Sequence, residues 1–204
     1  MVRILVETKV ERRIIKSYKG QIFFADDFID LGNSETINKA LHRLKEKGTI
    51  IRLAQGIYVY PGKDLQIGLL MPTIEEVAQA IAKRDRARII PTGTYALNKL
   101  GLSTQIPLNA VFLTDGAARN VRINKHNIKF KKTTPKNLLL KGEISALVIQ
   151  ALRQIQKENL QPKDLEIIKS QLKKEKTEYI KHDAKLAPAW IREKMLSFLV
   201  NKNE

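Results

Sequence analysis

The stretch from Asn33 to Pro61 constrains the fold more than any other part of the chain. Its first half predicts an amphipathic helix of about three turns, because apolar residues recur at i, i+3, i+4 and i+7. These residues are Ile37, Ala40, Leu41 and Leu44. Ser34 is the predicted N-cap. Gly48 lies where the helix needs a residue in the left-handed conformation to end.

The second half of this stretch predicts a tight β-hairpin. Two short runs rich in β-branched and aromatic residues, Ile50–Leu53 and Ile57–Tyr60, flank the turn sequence Ala54-Gln55-Gly56. A helix, a glycine stop and a hairpin in this order are typical of a winged helix-turn-helix domain.

The residues before this stretch fit the other elements of such a domain. We predict a helix from Ile4 to Tyr18, on the helical spacing of its apolar residues, and then a short strand from Gln21 to Phe24. Ala25 to Leu31 is predicted to form a short helix with Phe28 and Leu31 facing inward. The alternative is a small α+β domain in which the basic helix face is only solvated.

The polar face of the predicted helix carries the candidate DNA contacts. Asn and Arg can pair with adenine and guanine edges through two hydrogen bonds in the major groove. The candidates on the helix are Ser34, Thr36, Asn38, Lys39, His42 and Arg43. On the hairpin, Arg52 and Gln55 are the predicted contacts to phosphate or to the minor groove.

The composition favours a polyanionic partner. The formal net charge is +16, which points to nucleic acid first and to an anionic membrane surface second. There is no cysteine, so disulfides and cysteine-based zinc sites are excluded, and the three histidines lie far apart. We therefore predict no metal and no cofactor.

The N-terminal residues do not predict a secretory signal peptide. Charged residues throughout Met1 to Ile15 leave no room for the apolar region of a signal peptide. No run approaches the roughly 20 apolar residues that a membrane span needs. The expectation is a soluble, cytoplasmic protein without a membrane partner.

The positive charge is unevenly distributed. Residues 1–70 hold 12 basic and 8 acidic side chains, a balance of +4, whereas residues 71–204 hold 25 and 13, a balance of +12. Between Asp115 and Glu143 there is no acid. The cations in this interval are Arg119, Arg122, Lys125, Lys129, Lys131, Lys132, Lys136 and Lys141.

Two alternating segments inside this interval, Arg119–Ile123 and Asn127–Lys131, predict a second hairpin. Such a hairpin would place three cations, Arg122, Lys129 and Lys131, on one exposed face. The candidate additional anion contacts are Arg119, Arg122, Lys125, Lys129, Lys131 and Lys132. The alternative is ordinary solvation of the outer face of a sheet.

The sequence predicts two domains. Residues 1–61 form the winged helix-turn-helix domain, 62–71 a linker, and 72–204 a second domain. Thr73 and Glu76 have the spacing of a capping box at the start of the second domain.

The second domain is predicted to be mixed α/β and to end in helices, so the fold class is α+β. Its first elements are a helix that begins at Thr73, a strand from Ala87 to Ile90 stopped by Pro91, a helix from Thr94 to Leu100 and a buried strand from Ala110 to Thr114. Apolar stripes after Gly142, Pro162 and Pro188 predict a helical tail.

Enzyme signatures are weak. Asp26 and Asp27 are adjacent, so on a helix their side chains would point about 100° apart and could not act as a pair. Asp115 follows a predicted buried strand but has no second acid near it in sequence, and it is interpreted as part of a turn. Thr92-Gly93-Thr94 lacks the spacing of a phosphate-binding loop. We therefore predict that the chain is not an enzyme.

Three motifs together resemble a known family. They are GIYVYP (Gly56 to Pro61), PTGTYALNKLGLSTQIP (Pro91 to Pro107) and VFLTDGAARNVRI (Val111 to Ile123). The chain looks like the AbiEi-type antitoxin and transcriptional-regulator family of bacterial abortive-infection toxin–antitoxin systems, over roughly residues 1 to 155.

The resemblance implies a function for each domain. The winged helix would bind double-stranded DNA at an inverted repeat in the protein's own promoter, as an autorepressor and possible homodimer. The C-terminal domain would counteract a nucleotidyltransferase-type toxin encoded beside it. The chain lacks the Gly-Ser and paired-Asp motif of such a toxin, which favours the antitoxin.

Several alternatives stay open at this point. The resemblance does not decide whether the antitoxin contacts its toxin or acts indirectly. A regulator without a toxin, whose C-terminal domain dimerises or binds a ligand, is a second hypothesis. A third is an RNA-binding protein that uses the basic sheet face of the C-terminal domain.

Overall fold

The structure, a computed structural model, describes residues 5–64, 66 and 68–200. The fold is mixed α+β, which confirms the predicted class. The chain divides into two compact units, Met1–Ala80 and Ile81–Glu204. The boundary falls inside a helix, α3 (Ile74–Arg84), and not in the predicted linker.

Unit 1 begins with two helices that surround a short strand and a single helical turn, followed by two more strands. The elements are α1 (Val6–Ile15), β1 (Ile22–Phe24), a 3-10 helix (Ala25–Phe28), α2 (Ser34–Glu46), β2 (Ile51–Ala54) and β3 (Ile57–Val59). The three strands form an antiparallel sheet in the order β1-β3-β2. Gly56 has a φ of +70° in the tight turn of the predicted hairpin, which is confirmed.

One hydrophobic core holds unit 1 together. Its buried members come from both helices and all three strand regions: Val10, Ile14, Phe23, Phe28, Ile37, Ala40, Leu41, Leu44, Ile50 and Tyr58. The predicted apolar stripe of α2 is therefore confirmed. The predicted stripe of the first helix is partly wrong, because α1 ends at Ile15 and the side chains of Ile15 and Tyr18 are 53% and 73% exposed.

The N-cap of α2 is Asn33, not Ser34 as predicted. The Thr36 amide donates to Asn33 Oδ1 at 2.9 Å, and the Thr36 hydroxyl donates to the same oxygen at 2.7 Å. Ser34 already has helical conformation and is the first residue of α2. Gly48 follows the helix with a φ of +73°, which confirms its predicted role at the end.

The segment 62–71, predicted as a linker, contains two short strands. These strands, β4 (Gly62–Asp64) and β5 (Gly68–Leu70), pair in antiparallel register. The capping box that follows is confirmed, since the Thr73 amide donates to Glu76 Oε2 at 2.7 Å and the Glu76 amide donates to Thr73 Oγ1 at 3.2 Å.

Unit 2 combines a four-stranded sheet with helices. The elements are β6 (Ile89–Thr92), α4 (Thr94–Lys99), β7 (Asn109–Thr114), β8 (Arg119–Ile123), β9 (His126–Lys132), α5 (Glu143–Ile155), α6 (Pro162–Leu172), α7 (Thr177–Ala184) and α8 (Ala189–Val200). The sheet order is β6-β7-β9-β8, with β7 and β9 parallel and the other pairs antiparallel. The prediction that Pro91 stops the first strand is wrong, because β6 is an edge strand and an edge strand tolerates a missing N–H donor.

The helices of unit 2 pack around α5. Every residue from Ser145 to Leu152 is buried, so α5 is covered on all sides. The core around it contains Ile168 and Leu172 of α6, Ile180 of α7 and Ile191 of α8. The sequence predicted α5, α6 and α8 but not α7, which is short and has a weak apolar stripe.

Candidate nucleic-acid interface

The outer face of α2 brings the predicted DNA contacts together. The helix buries its apolar stripe, and the remaining positions lie on the surface. Its exposed candidate residues are Ser34, Thr36, Asn38, Lys39, His42 and Arg43. These six side chains present hydroxyl, amide, imidazole, ammonium and guanidinium groups to solvent over about three turns of helix.

Glu7 of α1 pairs with two cations, Arg43 of α2 and Lys47, the residue that follows α2. Glu7 Oε2 lies 3.2 Å from Arg43 Nη1, and Glu7 Oε1 lies 2.5 Å from Lys47 Nζ. The Glu7 side chain is only 15% exposed, whereas that of Arg43 is 66% exposed. Hydrogen bonds from Lys47 and Arg43 lower the pKa of Glu7. The guanidinium of Arg43 is thus oriented by α1 and still accessible to a ligand.

Other polar groups on this face have local partners. Lys39 Nζ pairs with Glu35 Oε1 at 2.5 Å, one helical turn away. Asn38 Nδ2 lies 3.5 Å from Ser34 Oγ, at the outer limit of a hydrogen bond. Both contacts are exposed, so a ligand could replace them at small cost.

The hairpin of β2 and β3 supplies two further candidates. Arg52 and Gln55 are both exposed. Arg52 Nε donates to the carbonyl oxygen of Ala54 at 3.3 Å, and the two terminal guanidinium nitrogens of this exposed side chain are further donors that an anion can use.

The second predicted hairpin is confirmed in unit 2. In the register of β8 and β9, Asn120 lies opposite Lys129 and Arg122 lies opposite Asn127. The chain turns at Asn124, whose φ is +52°, a conformation that asparagine tolerates better than most residues. Lys125, in the same turn, is exposed.

We define the basic sheet face as Asn120, Arg122, Asn127, Lys129 and Lys131. The pairing register places Asn120 with Lys129 and Arg122 with Asn127 on one side of the sheet, and Lys131 follows two residues after Lys129. The three cations of this face are exposed. On the adjacent strand, Val111 and Leu113 pair with Lys129 and Lys131 and are half-buried.

A shallow groove of about 560 Å³ adjoins this face. Its lining includes the lysines Lys129, Lys131 and Lys132 together with Leu113, Asn120 and Phe130. Within the part of the chain that the structure describes, no ion pair joins these three lysines to an acid.

Arg119, another candidate anion contact, has an internal role. Its guanidinium forms an ion pair with Asp85 and lies over the Phe130 ring, 5.5 Å from the centroid. Burial lowers the pKa of Arg119, and the positive charge of Arg84 acts in the same direction. Asp85 lies 34 positions before Arg119 in the sequence, so local patterns gave no sign of this pair.

Asp115 is also satisfied internally. Its carboxylate accepts hydrogen bonds from the Arg88 amide at 2.7 Å and from Arg88 Nε at 2.9 Å. The backbone and side-chain hydrogen bonds from Arg88 lower the pKa of Asp115. The contact joins the start of β6 to the end of β7, which supports the interpretation of Asp115 as a structural turn residue.

Across 5–64, 66 and 68–200, His, Asp and Glu form no cluster of three or more that could hold a metal ion. In those ranges no helix is both long and apolar enough to cross a bilayer.

One family matches the chain. A family of unknown function, DUF6088, matches residues 9–180, which cover most of both units. No curated protein matches.

Proposed function

We propose that this chain, which belongs to the DUF6088 family of unknown function, is a DNA-binding regulator whose unit 1 is a winged helix-turn-helix domain. In this proposal α2 is the recognition helix, and the hairpin of β2 and β3 is the wing. The 3-10 helix Ala25–Phe28 takes the place of the first helix of the helix-turn-helix.

The observation that carries the proposal is the division of α2 into a buried apolar side and an exposed polar side. One side of this helix is buried in the core of unit 1, and the opposite side exposes six side chains that can donate or accept hydrogen bonds. The hairpin of β2 and β3 follows directly in the chain, and its Arg52 and Gln55 side chains are exposed. The element order and the sheet order β1-β3-β2 also support a winged helix.

Placement of α2 in the major groove assigns a role to each candidate. The groove is about 12 Å wide and admits one α-helix, whose exposed side chains can reach the base edges. Asn38 and Arg43 are the candidates for paired hydrogen bonds to adenine and guanine. Thr36, Lys39 and His42 add single contacts. Arg52 and Gln55 on the wing contact phosphate or the minor groove.

Sequence-specific binding is the first expected outcome. Full-length protein should enrich a defined site from a pool of random duplexes. A dimer should enrich an inverted repeat with half-sites about one helical turn, roughly 34–36 Å, or a multiple of that apart. The check is a gel-shift titration of the enriched duplex against a scrambled duplex of equal length. Equal affinity for both would contradict sequence-specific recognition by α2.

We further propose that the protein is an antitoxin and that unit 2 carries this activity. The support is the resemblance of the 56–61, 91–107 and 111–123 motifs to the AbiEi-type family. The proposed partner is a nucleotidyltransferase-type toxin from the neighbouring gene, which the protein counteracts in the cytoplasm without catalysis of its own.

Separation of the two activities tests this part. The full chain and a variant with Asn38→Ala and Arg43→Ala are expressed from a promoter unrelated to that of the toxin. Both proteins should restore growth of cells that express the toxin. Only the unaltered chain should repress the protein's own promoter. Growth arrest that persists with both proteins would reject the antitoxin assignment and favour a regulator without a toxin. Rescue by the unaltered chain alone would reject only the division of activities between the units.

A further inference from the structure

We propose that the basic sheet face of unit 2 is a second DNA-contact surface, which binds the phosphate backbone without reading sequence. This inference rests on the proposed function, because it assigns part of the affinity for DNA to a unit other than the winged helix.

The three cations of the basic sheet face have no acidic partner among the residues that the structure describes. The cations Arg122, Lys129 and Lys131 lie in an interval of the sequence that contains no acid. The two acids of unit 2 that come before these cations in the sequence, Asp85 and Asp115, already pair with Arg119 and Arg88. A concentration of unpaired positive charge on one face attracts a polyanion.

The spacing of the cations matches the repeat of phosphates along a DNA strand. Lys129 and Lys131 are two residues apart on β9, so their side chains leave the sheet about 6.8 Å apart on the same side. This separation is about twice the 3.4 Å axial spacing of phosphates on one strand of DNA. Arg122 lies on the neighbouring strand, and the amides of Asn120 and Asn127 can donate to phosphate or sugar oxygens between the cations.

The basic sheet face has no aromatic side chain, and this favours a double-stranded over a single-stranded nucleic acid. Single strands are usually bound by aromatic side chains on which the bases stack. The basic sheet face consists of Asn, Arg and Lys, with Val111 and Leu113 beside it. Phe130 lines the adjoining groove but is only 4% exposed, too little for a base to stack on its ring. A surface of this kind contacts the backbone of a duplex.

Salt dependence tests the proposal in the full-length protein. Four proteins are compared: the unaltered chain, a face variant (Arg122→Gln, Lys129→Gln and Lys131→Gln), a helix variant (Asn38→Ala, His42→Ala and Arg43→Ala), and the combination of the two. A control variant removes the same charge from exposed lysines of the helical part of unit 2: Lys163→Gln, Lys173→Gln and Lys185→Gln. Affinity for a random-sequence duplex is measured by fluorescence anisotropy at several salt concentrations.

The face variant should show a flatter dependence of log affinity on log salt, by up to about 2.7 units if all three cations contact phosphate. The control variant should keep the original slope, because it loses the same net charge but no contact. The face substitutions should flatten the slope in the helix variant as well, because the surface acts independently of α2.

Three outcomes would overturn the inference. An unchanged slope in the face variant would reject the DNA contact and leave the proposed role of α2 intact. Equal flattening in the face and control variants would mean that only net charge matters. Loss of affinity for duplex RNA with an unchanged slope on DNA would assign the face to RNA. A different result would reject the proposed function itself: the helix variant would bind an enriched site as tightly as the unaltered chain does.

Discussion

Replacement of Asp183 by Ala should lower the free energy of unfolding by several kcal/mol, at about 1–3 kcal/mol for each buried donor that loses its acceptor, the largest stability effect that we expect from a polar residue. Asp183 is fully buried. Its Oδ1 accepts from the Lys141 amide at 2.9 Å, and its Oδ2 accepts from the Gly142 amide at 2.9 Å and from the Ser145 hydroxyl at 2.5 Å.

The carboxylate of Asp183 thus fixes, from a distant helix, the two residues that lead into α5 and the hydroxyl of Ser145 in its first turn. The dipole of α5 favours a negative charge at this end. Glu175 assists, since its Oε2 accepts from the Ile144 amide at 2.9 Å. Truncation of Asp183 removes the acceptor of the buried Gly142 amide and of the buried Ser145 hydroxyl. A buried donor without an acceptor is costly, which explains the size of the expected loss.

Asp164 provides a matched control. It also accepts from a backbone amide at a helix N-terminus, that of Gln161 at 3.1 Å, but this contact is exposed. Asp164→Ala should cost only about 1 kcal/mol, the usual effect of a lost cap. Both variants are measured by urea unfolding followed by circular dichroism. Equal losses for the two variants would contradict the role assigned to buried Asp183.

The second large effect concerns recognition of DNA. Asn38→Ala, His42→Ala and Arg43→Ala together should abolish most of the preference for an enriched site, because each lost base contact costs about 1–3 kcal/mol of discrimination. Affinity for random duplex should change far less, since backbone contacts remain. The three positions are exposed and alanine is the best helix former, so the helix should persist.

Two cations of α1 and the lysine that follows it form the control for this prediction. Lys9, Arg12 and Lys16 are exposed, and their replacement by Ala removes more positive charge than the α2 variant does. If these residues touch DNA at all, they touch phosphate, and affinities for specific and random duplexes should fall together. The measurement is the ratio of the affinity for the specific duplex to that for the random duplex. If this ratio falls as much in the control as in the α2 variant, α2 is not the recognition helix.

Local patterns were sufficient for the elements that depend on near neighbours in sequence. The stripe of α2, the capping box of Thr73 and Glu76, and the hairpin that turns at Asn124 are all set within about ten residues. The exposed positions of α2 followed from the same helical period. This is why every predicted contact on that helix lies on one face.

Contacts between distant segments were not predictable in this way. Arg43 looked like an unrestrained cation, but Glu7 holds it from 36 residues away. Arg119 looked like an anion contact, but Asp85 pairs with it. The parallel pairing of β7 with β9 requires the chain to pass through the edge strand β8 first, and no periodicity encodes that order.

The wrong boundaries have similarly specific causes. Asn33 and Ser34 are adjacent and both are good caps, so the sequence alone could not choose between them. Pro91 stops a strand only where its N–H would be needed, and the position of β6 at the edge of the sheet removes that need. The strands β4 and β5 have only three residues each, too few for an alternating pattern.

The most direct test of the central claim places α2 against the DNA by cross-linking. The chain has no cysteine, so a single Asn38→Cys substitution can carry one photoactivatable cross-linker. A matched protein carries the same group through Asp26→Cys, an exposed position on the 3-10 helix of unit 1. With an enriched duplex, the account predicts adducts on bases inside the site from position 38 and none from position 26. A complex that forms normally but gives no base adducts from position 38, or gives them equally from position 26, would contradict the claim that α2 reads the major groove.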